Sequence, residues 1–139
     1  MSDLRNTFMP RFVQFINTAD EELGEDLIAP DAEFHFPFQS EPLVGPAGWL
    51  KAVEMMREGF PDVQWTLEDL VVEGDQVAAR YTMRGTHDGT FSGVAATGKQ
   101  IAIQAMNFHV IANGKIAAEH GLPNLLGIMQ QIGAVPAGG

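Results

Sequence analysis

Hydrophobic residues recur with a helical period over residues 3–29. Those on the face of the first predicted helix are Phe8, Phe12, Phe15 and Ile16. Proline has no N–H to donate, so we expect this helix to begin near Pro10. Thr18 and Glu21 have the spacing of a capping box and predict a second short helix, which Pro30 would end. The pattern therefore predicts two helices before the first strand.

The segment 32–38 alternates aromatic and polar residues, as a half-buried strand does. Phe34, Phe36 and Phe38 fall on one face of this strand, whereas Glu33 and His35 fall on the other. A third helix is predicted over residues 45–60, and its apolar stripe consists of Trp49, Val53, Met56 and Phe60.

Four further strands are predicted over residues 63–73, 76–88, 100–112 and 115–122. Asn113-Gly114, a pair typical of a tight hairpin turn, separates the last two. Helices followed by strands indicate an α+β fold. We expect one domain over residues 1–139, a cone in which a curved, mixed or antiparallel sheet wraps around the N-terminal helices.

Charge and composition exclude several classes of function. The 18 Asp+Glu against 8 Lys+Arg give a net charge of −10, which repels polyphosphates and disfavours nucleic acid as a partner. The absence of cysteine excludes disulfides and thiolate chemistry. No apolar run has the ~18 residues of a membrane helix, and the N-terminus lacks the apolar segment of a signal peptide. These features predict a cytoplasmic protein without a membrane partner.

The four histidines, His35, His87, His109 and His120, lie too far apart for a short metal-binding motif. A glycine-rich phosphate loop and a Gly-x-Ser-x-Gly elbow are also missing from the sequence. We therefore expect neither a metal nor a cofactor.

One group of motifs comprises residues 60–71 (FPDVQWTLEDLV), 74–80, 84–89 and 125–133 (LLGIMQQIG). Together these motifs resemble the SnoaL-like polyketide cyclase family. The resemblance extends from the first helix to Gly133. It implies an NTF2-like cone, usually a homodimer or higher homo-oligomer. It also implies an enzyme that closes rings in small, apolar polyketide-like substrates by cofactor-independent aldol chemistry, an acid/base reaction of the lyase or isomerase type.

The sequence departs from the family at its acid/base residue. In the family an Asp precedes the Leu-Leu-Gly run and follows a Trp by four residues, whereas this chain has Asn124 and His120 at those positions. Asparagine cannot exchange a proton, so Asn124 would only hold a carbonyl or an enolate by hydrogen bonding.

His120 is the first candidate for the catalytic base, because the unperturbed pKa of histidine lies near 7. Its alternation with Ile116 and Ala118 predicts that it points into the cavity and that Glu119 points away. His35 is the second candidate, because it resembles the histidine that family members often carry on the first strand, where it lines the cavity. The predicted catalytic residues are thus His120, His35 and Asn124.

Asn107 and His109 project from the same face of their strand, but Met106 and Phe108 opposite them are also apolar. The alternation therefore leaves open which face is inside, and two apolar faces predict a dimer. The predicted substrate-binding residues are His109, Asn107, Trp65, Tyr81, Met83, Phe34 and Trp49.

Two other functions remain open at the level of sequence. An enzyme that hydrolyses epoxides or isomerises double bonds normally uses an aspartate, so Asn124 weakens that interpretation. The same departure favours a non-catalytic protein that binds a small molecule.

Overall fold

The computed structural model describes residues 3–37 and 39–136, so the predicted inward position of Phe38 lies outside the described residues. A helical turn over Leu4–Phe8 leads into helix α1, and the helices are α1 (Met9–Thr18), α2 (Glu21–Leu27), α3 (Gly45–Gly59) and α4 (Leu125–Gln131). The strands are β1 (Ile28–His35), β2 (Leu43–Val44), β3 (Gln64–Glu73), β4 (Gln76–Thr86), β5 (Gln100–Ala112) and β6 (Lys115–Pro123).

The six strands form one sheet in the order β2-β1-β6-β5-β4-β3. Its pairs are antiparallel except for β1 and β6, which run parallel. The sheet is curved and does not close, and the hydrophobic core lies between it and the helices. The predicted α+β fold is confirmed.

The predicted start and end of α2 are wrong. Asp20, rather than Thr18, caps the helix: its Oδ1 accepts hydrogen bonds from the backbone N–H groups of Glu22 and Leu23. Thr18 instead donates its hydroxyl to the carbonyl of Gln14, one turn earlier. The helix ends at Leu27, before Pro30, which lies inside β1. Pro30 is accommodated because the pairing of β1 with β6 is irregular between Ile28 and Glu33.

The hairpin between β5 and β6 is confirmed. Asn113 and Gly114 have φ values of 53° and 77°, the left-handed backbone that a tight hairpin turn with two central residues requires.

Strand β6 contains a bulge that determines which of its side chains face the core. Ile111 pairs with Ile116, but Val110 pairs with Ala118, so Ala117 is an extra residue in β6. The alternation restarts after Ala117, and the next inward residue after Ile116 is Glu119.

Candidate active site

An aromatic cavity lies between the concave face of the sheet and helices α1 and α3. Its apolar wall includes Phe12, Ile16, Phe34, Phe36, Trp49, Val53, Met56, Trp65 and Met83. Three polar side chains also line it: Tyr81 on β4, Asn107 on β5 and Glu119 on β6. The cavity therefore presents a few polar groups in an apolar enclosure, which is typical of a small-molecule site.

Glu119 is the buried carboxylate of this cavity, with 1% of its surface exposed. The indole Nε1–H of Trp49 donates to its Oε1 over 2.8 Å, and the Asn107 amide Nδ2 donates to its Oε2 over 2.7 Å. A buried carboxylate requires such partners, because an unpaired charge in an apolar environment is costly. These donors hold the carboxylate in a fixed orientation in the cavity wall.

His109 is completely buried behind the wall and lies between two of its polar groups. Its Nδ1 is 3.0 Å from Glu119 Oε1, and its Nε2 is 3.0 Å from the Tyr81 hydroxyl oxygen. The Nδ1 contact is a close electrostatic one rather than an aligned hydrogen bond, since Nδ1 has no hydrogen-bond partner among the described residues. His109 thus connects Glu119 to Tyr81.

The environment of Tyr81 keeps its hydroxyl protonated. Burial, and secondly the negative charge of Glu119, raise the pKa of the Tyr81 phenol well above its ordinary value of 10.0. The Tyr81 hydroxyl therefore remains an O–H group at neutral pH.

The predicted inward orientation of His120 is wrong. The bulge at Ala117 shifts the alternation by one residue, so His120 is exposed and Glu119 occupies the inner face. His35, its register partner on β1, also points outward, and 41% of its side chain is exposed. The two imidazole rings stack in parallel with their centroids 4.2 Å apart on the outside of the sheet. Neither histidine lines the cavity.

The predicted position of Asn124 in the cavity is also wrong. Asn124 is exposed and caps α4: its Oδ1 accepts the backbone N–H of Gly127 over 2.9 Å. A carbonyl oxygen used in this way satisfies a free N–H at the beginning of the helix.

The remaining predicted residues lie in or next to the cavity. Asn107 and His109 point inward, which settles the face that the sequence left open, while Met106 and Phe108 are 60% and 40% exposed on the other side. Among the predicted substrate-binding residues, those in the wall are Asn107, Trp65, Tyr81, Met83, Phe34 and Trp49. Sequence reasoning missed Glu119, which it placed outward. The register contact of Glu119 with His109 would have revealed it, but a pairing between strands cannot be read from one sequence.

In the part of the chain that the structure describes, no three His, Asp or Glu side chains approach closely enough to hold a metal ion. Likewise, no helix over residues 3–37 and 39–136 is long and apolar enough to cross a membrane.

The fold and cavity define an NTF2-like protein. Within that class, the chain belongs to the SnoaL-like polyketide cyclase family, whose sequence model matches residues 6–132. The resemblance found in the sequence is thereby confirmed.

Relatives of known name and structure agree with this assignment. Aklanonic acid methyl ester cyclase DnrD of Streptomyces peucetius is 28% identical over 130 residues, which cover 88% of this chain and 86% of the relative. The structure of IdmH from Streptomyces antibioticus is similar with a TM-score of 0.81 and 30% identity, covering 91% of this chain and 96% of that one. TsrD from Streptomyces laurentii has a TM-score of 0.80 and 28% identity over 92% and 93% of the two chains.

Proposed function

We propose that this protein is a cofactor-independent cyclase that closes a ring in a small, apolar polyketide-like substrate by intramolecular aldol chemistry. The observation that carries the proposal is the buried carboxylate of Glu119, fixed by Trp49 and Asn107 in the wall of an aromatic cavity. Membership of the cyclase family and the similarity to a named ester cyclase support the same reaction class.

In this mechanism Glu119 replaces the histidine expected from the sequence as the general base. Its carboxylate removes a proton from the carbon next to a carbonyl, and the resulting enolate forms a carbon–carbon bond to a second carbonyl of the same substrate. The second carbonyl oxygen becomes an alkoxide, which takes up a proton, so that the proton lost from carbon and the proton gained by oxygen balance. The aromatic wall excludes water and holds the substrate in a folded conformation, with its two carbonyl groups close enough for ring closure.

The test is turnover of aklanonic acid methyl ester, the substrate named for the relative in S. peucetius. We expect the Glu119→Gln variant to lose about 10²–10⁴-fold in kcat, the usual effect of removing a general base. The matched control is His120→Phe, which alters a titratable side chain on the neighbouring, outward position and should leave kcat unchanged.

Two outcomes would contradict the proposal. Unchanged turnover in Glu119→Gln would remove this carboxylate from the chemistry. Tight binding of the ester by wild-type protein without any conversion would instead favour a non-catalytic binding protein.

The outer face of β5 and β6 supports a homodimer as part of this proposal. Met106 and Leu122 are register partners there and are 60% and 68% exposed, with Phe108 beside them. Strand β5 contains no Asp, Glu, Lys or Arg, so it adds no like-charge repulsion where two copies of a chain with net charge −10 would meet.

Light scattering tests the dimer. Leu122→Lys should shift the protein toward the 15.1 kDa monomer, whereas Val71→Lys, which alters an exposed valine on β3, should not. A wild-type monomer at micromolar concentration would contradict the dimer.

A further inference from the structure

We propose that Tyr81 is the hydrogen-bond donor that stabilises the oxyanion of the reaction, and that His109 positions it. The inference rests on the proposed cyclase function and adds a second catalytic residue to it. During the reaction the negative charge moves from the Glu119 carboxylate to the substrate oxygen, so a second polar group must face that oxygen.

The other donor nitrogens of the cavity wall already bond to Glu119. Trp49 Nε1 and Asn107 Nδ2 both donate to Glu119. Asn107 Oδ1 is buried without a hydrogen-bond partner among the described residues, but a carbonyl oxygen only accepts and cannot stabilise an anion. Tyr81 is the remaining polar side chain among the cavity residues described above, and its hydroxyl group carries a donor hydrogen.

His109 determines where that hydrogen points. When Nε2 of His109 carries a proton, it donates to the Tyr81 oxygen over 3.0 Å, and the tyrosine O–H must then point elsewhere. On the other side of the ring, Oε1 of Glu119 lies 3.0 Å from Nδ1 of His109. When Nε2 carries the proton, the Tyr81 O–H is therefore available to a ligand in the cavity.

Burial adds to the effect of this hydrogen bond. The phenol keeps its proton because its pKa is raised, and a fixed donor in a water-excluded site stabilises an oxyanion far more than the same donor does in water. Removing one such donor typically costs about 10²–10³-fold in kcat.

The first experiment compares Tyr81→Phe with wild type on aklanonic acid methyl ester. We expect kcat to fall by about 10²–10³-fold with little change in KM, because the hydrogen bond forms mainly in the transition state. The His120→Phe variant serves again as the control with full activity.

The second experiment measures anion binding without turnover. In a Glu119→Gln background, whose neutral amide resembles the protonated base, 2-naphtholate serves as a stable analogue of an enolate. We expect Tyr81→Phe to weaken its binding about tenfold or more, because a hydrogen bond to a charged group is involved. The binding of the neutral 2-methoxynaphthalene should not change.

His109 is tested by two substitutions in the same background. His109→Gln keeps a donor N–H near the position of Nε2 and should retain most of the naphtholate affinity. His109→Phe removes the donor and should weaken binding as Tyr81→Phe does, and the double variant should be no weaker than Tyr81→Phe alone. A purely structural role of His109 would instead weaken naphtholate and methoxynaphthalene equally.

The outcomes separate this inference from the cyclase proposal. Unchanged kcat in Tyr81→Phe, or naphtholate binding that is independent of Tyr81, overturns the role of Tyr81. Naphtholate binding that depends on Tyr81, in a protein that converts no ester, overturns the cyclase proposal but leaves the oxyanion donor in place.

Discussion

His109 and Glu119 are direct register partners on strands β5 and β6, and their side chains meet on the inner face of the sheet with Nδ1 3.0 Å from Oε1. This pairing places a buried imidazole against a buried carboxylate. The indole of Trp49, from α3 on the opposite side of the cavity, donates to the same carboxylate oxygen. Helix and sheet are therefore joined at the polar centre of an otherwise apolar cavity.

The absence of a side chain at Gly121 creates space in the cavity next to Asn107. A methyl group there would lie 3.0 Å from Phe34 Cε1 and 3.1 Å from Asn107 Nδ2. We expect Gly121→Ala to lower kcat by displacing the amide that orients the base Glu119, while stability changes by about 1 kcal/mol, as for other modest overpacking. Steady-state kinetics and thermal denaturation measure the two effects. Val71→Ala, at the exposed valine of β3, is the control, and an unchanged kcat in Gly121→Ala would contradict the prediction.

The corrected cap of α2 gives a simple stability test. Asp20→Ala removes the acceptor of two backbone N–H groups and should destabilise the protein by about 0.5–2 kcal/mol. Thr18→Ala should have a much smaller effect, because the Thr18 hydroxyl bonds only to the carbonyl of Gln14. Urea denaturation of both variants checks the order. A larger loss of stability in Thr18→Ala than in Asp20→Ala would instead support the capping box predicted from the sequence.

Tyr81 is the only tyrosine of the chain, so its titration can be followed directly by ultraviolet absorbance. Its pKa is higher in the folded protein than the 10.0 of an unfolded chain. As the pH rises above 10.0, the unfolded chain loses the phenolic proton first, so unfolding becomes more favourable. Stability attributable to Tyr81 is thus complete below that pH and is lost above it.

We expect wild-type protein to lose stability above pH 10.0 more steeply than Tyr81→Phe, in denaturation curves recorded at several pH values. The phenylalanine variant lacks the titrating group and shares all other alkaline titrations, which makes it the matched control. If the stability of the two proteins fell equally with rising pH, the raised pKa of Tyr81 would be refuted.

Asn124→Asp restores the residue that the family has before the Leu-Leu-Gly run. Because residue 124 caps α4 on the surface, the carboxylate should replace the amide oxygen as acceptor of the Gly127 N–H. We expect equal stability or a gain of about 0.3–1 kcal/mol from the helix dipole, with unchanged turnover. Thermal denaturation and kcat are the measurements. A large gain in kcat would show that residue 124 reaches the substrate.

Local patterns in the sequence predicted the elements well, because each depends on neighbours along the chain. The stripe containing Trp49 and Val53 marked α3, and Asn113-Gly114 marked the last hairpin. The site was predicted less well. Regular alternation predicts the inward orientation of wall residues such as Tyr81 and Asn107. The inward orientation of Glu119 depends instead on an irregular pairing of β6 with β5, which the sequence of β6 alone does not show.

The extra residue at Ala117 also has a consequence for how this chain can change by mutation. Deleting the single codon for Ala117 would remove the bulge and leave Ile116 and Glu119 two positions apart, so regular alternation would keep Glu119 inward and His120 outward while the hairpin at Asn113-Gly114 stays in place. One in-frame deletion would therefore straighten the strand without exchanging the carboxylate in the cavity for an imidazole. Relatives that lack the extra residue are expected to keep the acid at the same place in the cavity, even though their strand alternates without interruption.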